Sequence, residues 1–179
     1  MPQATPGPAS QPSDTAAVRQ AEALRRRMLS RWPMRLYMLK NLPLGLIAGL
    51  RVEQLKDDCC AVSVPYAWRT TNPFRSIYFA AQAMAAEMST GAMALGAVRV
   101  APVPVALLIV DLKASFGKKA TAKTTFRCTQ GAALRQAVAC TLASGEAATA
   151  SVVTVGQMAD GTEVARFTFT WSFKRRASG

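Results

Sequence analysis

The sequence contains no histidine, and that absence narrows the chemistry open to it. Without an imidazole there is no Ser-His-Asp or Cys-His nucleophile, no histidine metal ligand and no histidine-based dehydration. A general acid or base must come from a carboxylate, Lys, Tyr or Cys. The cysteines are Cys59, Cys60, Cys128 and Cys140. None forms a Cys-x-x-Cys pair, so no zinc or other metal site is expected. They read as small apolar thiols of a reducing compartment. Among the carboxylates Glu87 stands apart. It is the only acid between Asp58 and Asp111, and it sits inside a long run of Ala and Met. Desolvation there raises a carboxyl pKa, which suits a general base. The competing reading is a buried structural carboxylate hydrogen-bonded across a subunit interface.

The charge balance adds a second constraint. Lys and Arg number 22 against 10 acids, a formal charge of +12, and the pI is near 10.3. Such a surface suits nucleic acid, an anionic membrane surface or a polyanionic small ligand; it equally suits a soluble protein with no specific partner. No nucleic-acid motif is present, so nucleic acid is not expected. Residues 1–14 lack the charged-then-apolar pattern of a signal peptide, and cytoplasm is the expected location. The apolar stretch Ile77–Val98 is long enough to cross a bilayer. Gln82 and Glu87 near its middle make it a buried soluble helix instead, so no membrane span is expected.

Half of the 179 residues are apolar, enough for one domain with a sizeable core. Residues 1–15, with four prolines, read as a disordered tail. Residues 16–50 form an N-terminal helical segment. A helix is predicted from about Ala16 to Arg31, with Arg25, Arg26 and Arg27 opposite its apolar face. A turn or two of helix follows over Met34–Lys40, then an irregular apolar connection through Pro43, Gly45 and Gly49. Two strands, Arg51–Leu55 and Cys60–Val64, join at Lys56-Asp57-Asp58. The long apolar helix is predicted from about Phe74 to Leu95. After Val103 the chain reads as strands, apart from a helix at Ala132–Ser144 and a hairpin turn at Asp160-Gly161. In the last strand Ala165, Phe167, Phe169, Trp171 and Phe173 alternate with polar residues, which only a strand explains. The sum is an α+β domain over residues 51–176. Wrapping a curved, mostly antiparallel sheet around the long helix is the economical way to bury it.

The stretch Val64-Pro-Tyr-Ala-Trp-Arg-Thr-Thr-Asn-Pro-Phe-Arg-Ser-Ile-Tyr-Phe-Ala-Ala-Gln-Ala-Met-Ala-Ala-Glu-Met-Ser-Thr-Gly91 resembles a branch of the hot-dog-fold thioesterase-like proteins. That branch is grouped as domain of unknown function 4442. Arg51-Val52-Glu53 and Phe167-Thr-Phe-Thr-Trp-Ser-Phe-Lys174 are similar to it as well, so the resemblance runs over residues 34–176. It implies a central helix held by the sheet and sites formed between subunits of a homodimer or tetramer, while the added helix between late strands is read from the spacing of Ala132–Ser144. It also implies an acyl-CoA or other acyl thioester as substrate, with no cofactor.

Better-studied thioesterase relatives of the phenylacetate-pathway type carry Asn, then His-Gly-Gly, then an acid along this segment. The resemblance places Asn72 at the Asn position and Glu87 at the acidic one. It places Tyr78-Phe79-Ala80 where those relatives have His-Gly-Gly. The implied oxyanion donor is the backbone N–H of Phe79 at the helix start, although a side chain there hinders the close approach that Gly permits. Asn72 would orient water or thioester, or form a turn before the helix. Tyr78 is a pocket wall or a polar tip near the carbonyl, or simply packs. Ser89 and Thr90 would contact the attacking water or bond back to the helix. Arg69, Arg75 and Lys118-Lys119 would meet coenzyme A phosphates or lie on a solvated surface. The reading from another class is a non-catalytic acyl-thioester-binding protein of the same fold.

Overall fold

A computed structural model describes residues 12–176. Most of the expected tail, residues 1–11, lies outside the described residues. The elements run α1 (Pro12–Leu29), α2 (Arg31–Asn41), α3 (Pro43–Ala48), β1 (Arg51–Leu55), β2 (Cys60–Val64), α4 (Phe79–Arg99), β3 (Val105–Phe116), β4 (Thr124–Cys128), α5 (Gly131–Ser144), β5 (Ala148–Met158) and β6 (Glu163–Arg175).

The six strands form one antiparallel sheet in the order β1-β2-β4-β5-β6-β3. The Asp160-Gly161 turn joins β5 to β6, with Gly161 at φ +84°, a conformation that glycine adopts without strain. On β6 the five alternating residues Ala165, Phe167, Phe169, Trp171 and Phe173 are all buried. Each fully buried aromatic of this kind contributes roughly 1.5–3 kcal/mol by leaving water. α4 touches all six strands, and α5 packs beside it on β5 and β6. The small side chains of Ala81, Ala85, Ala86 and Ala92, all buried, leave room for the sheet's aromatics close to the α4 backbone.

Three of the differences from the sequence reading have an identifiable reason. The long helix starts at Phe79 and not at Phe74. The Asn72 side chain holds the following residues, Phe74 to Ser76, in a turn. The segment read as an irregular connection is the short helix α3. Pro43 sits at its first position, and Gly49 at φ +77° closes it while Leu50 N–H bonds Gly45 O at 3.0 Å, so the proline start and the left-handed glycine end outweigh the one glycine within. Helix α1 begins at Pro12, inside the expected tail. Its Leu24 and Met28 are buried, one turn apart, and it docks on β1, α2 and α4.

The two sheet edges are unlike each other. β1 is five residues long, with Lys123 and Ser63 both donating to Glu53 on it. β3 is a 12-residue edge strand exposing Leu108, Val110, Leu112 and Phe116.

Candidate active site at the start and middle of helix α4

The approach to α4 is a tight, polar-wired turn. Asn72 Oδ1 accepts from the N–H of Phe74 at 3.0 Å, the N–H of Ser76 at 3.3 Å and the Ser76 hydroxyl at 3.2 Å. The Asn72 carbonyl accepts from Arg75 N–H at 3.0 Å. Arg75 takes φ +57°, a left-handed conformation that a side chain adopts at a cost and that these bonds maintain. The acceptor of Asn72 is therefore spent on the turn. Lys119 donates to Phe74 O at 3.3 Å, and Ile77 N–H to Ala120 O at 2.8 Å. That brings the Lys118–Ala120 segment against the turn, with Arg75 and Lys119 both exposed beside it.

Tyr78 occupies the N-cap and offers no side-chain cap to the helix. Its carbonyl accepts from Ala81 and Gln82 N–H at 3.0 and 3.1 Å. The N–H groups of Phe79 and Ala80 have no acceptor among the described residues. They are the orphan donors of a 21-residue helix, at the positive end of its dipole. The Tyr78 and Phe79 rings stand edge-to-face at 4.8 Å, and both are exposed. Behind them Gln82 is buried; its Nε2 donates to Ile77 O at 2.9 Å, while its Oε1 has no partner.

Two turns further on lies Glu87. No donor reaches its carboxylate among the described residues, and burial alone pushes its pKa above the ordinary value of 4.5. The carboxylate bends toward Gly91. A Cβ built on Gly91 would lie 2.7 Å from Glu87 Oε1 and 3.3 Å from two ring carbons of Trp171. Trp171 is itself fixed, its Nε1 donating to Thr90 Oγ1 at 3.1 Å, and Thr90 donates to the Glu87 carbonyl at 3.0 Å. Ser89 donates to Ala86 O at 2.7 Å and shares a hydrogen bond of 2.7 Å with Thr154 Oγ1. Both hydroxyls are wholly buried and engaged.

The structure thus brings Asn72, Arg75, Tyr78 and Phe79 together at one end of α4, and sets Glu87 with Ser89 and Thr90 in its middle. Arg69 lines a different cleft, formed with α2, α3 and β1 and containing neither Phe79 nor Glu87. Gly91, Trp171 and Gln82 belong to the site and were missed by the sequence reading. Gly91 follows Glu87 by one helical turn, and that spacing is the signal that was available. Trp171 sits on a strand 84 residues away, and nothing local points to it. Among the described residues no cluster of ligating side chains fits a metal ion, and no helix is long and apolar enough to cross a membrane.

Three solved structures are similar to this arrangement. A protein of unknown function from Pseudomonas aeruginosa, described as a probable thioesterase, has a TM-score of 0.68 at 17% identity, covering 84% of this chain and 99% of its own. A protein of unknown function from Chlorobaculum tepidum has a TM-score of 0.69 at 11% identity, covering 89% and 97%. A thioesterase from Haemophilus influenzae has a TM-score of 0.58 at 12% identity, covering 85% and 95%. At these identities the likeness shows the fold alone, which is the α+β hot-dog fold. Comparison with curated protein sequences gives no match. The family model described as a domain of unknown function, DUF4442, matches residues 31–173.

Proposed function

The chain belongs to the DUF4442 family, and from that footing we propose that it hydrolyses the thioester of an acyl-CoA, with Glu87 as general base and the N-terminus of α4 as oxyanion site. The observation that carries this reading is the Glu87 carboxylate. It is desolvated, without a hydrogen-bond donor, and given space by a glycine. A half-buried acid, partly desolvated and taken by no donor of its own fold, is available to act as a base.

In this reading water attacks the thioester carbonyl carbon while Glu87 takes its proton. The tetrahedral oxygen is held by the free N–H groups of Phe79 and Ala80, where the helix dipole favours negative charge. Collapse expels the coenzyme A thiolate, which recovers the proton from Glu87, leaving a free acid and the thiol. Arg75 and Lys119, with Lys118 beside them, lie where phosphates of the leaving group would gain most from positive charge. Asn72 acts by holding the turn that presents these groups, and Thr90 and Ser89 by fixing the helix around Glu87. Tyr78 and Phe79 wall the acyl thioester.

Phe79 and Glu87 are eight residues apart, about 12 Å along a helix, and the Glu87 carboxylate turns away from Phe79 toward Gly91. Donors and base must each lie about 3 Å from the reacting group, so one protomer cannot supply both. We therefore assign the complete site to a homodimer or tetramer, with the donors from one subunit and the base from its partner. The long edge of β3, with its exposed Leu108, Val110, Leu112 and Phe116, supports self-association. The test is steady-state release of free thiol from a series of acyl-CoAs by the purified protein. Subunits carrying Glu87→Gln mixed with subunits bearing a substitution at the turn should recover activity.

A second reading is favoured by one specific feature. The rings of Tyr78 and Phe79 stand beside the oxyanion donors, and a silent acyl-thioester-binding protein would tolerate them. Saturable acyl-CoA binding without thiol release would establish that alternative.

A further inference from the structure

The N-terminal helices carry two features that the thioester site does not use. The first is an apolar ridge. Trp32, Leu36 and Leu39 recur at i, i+4 and i+7 on α2, which puts them on one face. Leu44 and Ile47 continue the ridge on α3, which packs against α2. All five are 60–75% exposed. Soluble monomers scatter such residues singly, and a contiguous set marks an interaction surface.

The second is a cleft of about 460 Å³ beside that ridge, within the ~300–1,000 Å³ typical of small-ligand sites. Its floor includes Met28, Met34, Met38 and Leu50, all buried. Its mouth carries Arg31, Arg35, Arg51 and Arg69, all exposed. None of these four guanidiniums is in an ion pair among the described residues. The two features meet where the Arg35 guanidinium lies 5.8 Å from the Trp32 ring centroid. Between residues 23 and 52 the chain has six arginines, one lysine and no acid.

We infer that α2 and α3 dock this protein onto the surface of an anionic lipid bilayer, the ridge entering the headgroup boundary and the arginine-rimmed cleft taking lipid phosphates. An interfacial helix needs apolar side chains, an aromatic at the boundary and cations beside them that reach headgroup phosphates, and α2 supplies all three. A protein partner would have to present an apolar surface and several uncompensated acids together, whereas an anionic bilayer presents both chemistries everywhere. Among the described residues no helix is long and apolar enough to cross a membrane, and the contact inferred here is a peripheral one. The inference does not depend on the hydrolytic reading of Glu87.

The experiment is co-sedimentation of the full chain with vesicles of phosphatidylcholine alone and of phosphatidylcholine mixed with phosphatidylglycerol. The mixed vesicles should bind, the neutral ones bind weakly, and added salt should weaken the contact by screening. Two double variants at exposed positions, Trp32→Ser with Leu36→Ser and Arg31→Gln with Arg35→Gln, should each lose about tenfold or more in binding. Circular dichroism and thiol release in the absence of lipid should stay unchanged. The inference is overturned by absence of binding to mixed vesicles, by equal binding to both kinds, or by wild-type binding in the ridge variant. It is also overturned if the ridge variant changes the sedimentation coefficient of the lipid-free protein, since the ridge would then be a subunit contact.

Discussion

The carboxylate of Glu87 occupies the place where a side chain on Gly91 would begin, with Oε1 2.7 Å from a Cβ built there. Gly91→Ala must therefore push the carboxylate aside, because the Trp171 ring at 3.3 Å closes the other direction. A glutamate terminus swings away cheaply, and Ala gains about 1 kcal/mol over Gly inside a helix. The expected outcome is a small change in Tm together with a fall in kcat of about tenfold or more, since a base out of hydrogen-bond reach does not act. Thermal melts and steady-state kinetics on the same preparation check it.

Thr90→Val removes the acceptor of the Trp171 indole N–H and the hydroxyl that bonds the Glu87 carbonyl. A buried donor left unpaired costs roughly 1–3 kcal/mol, so the variant should melt several degrees lower. A Trp171→Phe change added to it should cost much less than the two single effects together, since the orphan donor is gone. Denaturant titrations of the two single variants and the double variant measure this coupling.

Arg75 holds φ +57°, which Gly adopts freely. Arg75→Gly should leave Tm unchanged or raise it slightly. If the guanidinium meets coenzyme A phosphates, KM for acyl-CoA rises several-fold with little change in kcat, and KM for a short acyl thioester lacking those phosphates does not move.

Glu87 also bears on stability. Burial raises its pKa, so the folded chain holds the proton more tightly than the unfolded one. Its contribution is fully present below the ordinary value of 4.5 and is lost as pH rises through the raised folded-state value. Above that window the ionised carboxylate is a burden that Glu87→Gln removes. The Gln variant should melt at a higher temperature than wild type at neutral pH, and the difference should vanish in acid. Differential scanning calorimetry across pH decides this.

Much of this was legible in the sequence where one period dominated. The alternation from Ala165 to Phe173 allowed only a strand, and the Ala- and Met-rich run around Glu87 only a buried helix. The start of that helix was misread because its apolar run begins before its geometry does: Phe74 belongs to a turn wired by Asn72, and composition does not reveal hydrogen bonds. The same bonds explain why Asn72 is a turn residue in this fold, one of the two roles its position before proline left open. Glu87 was visible as a lone acid in an apolar segment. The residues that give it space and fix its surroundings, Gly91 and Trp171, become partners only when β6 packs across α4. The basic segment of α1 and α2 announced its charge, while the exposure of Trp32 and Leu36 beside it is a tertiary fact.

The central claim is that Glu87 is the base that activates water. The direct measurement is kcat/KM for an acyl-CoA against pH, for wild type and Glu87→Gln, with folding checked by circular dichroism. The wild-type rate should rise with pH through an apparent pKa above the ordinary carboxylate value of 4.5, and the Gln variant should lose about 10²- to 10⁴-fold and that limb of the profile with it. A folded Glu87→Gln protein that hydrolyses acyl-CoA at the wild-type rate, or a wild-type protein that turns over none, contradicts the account.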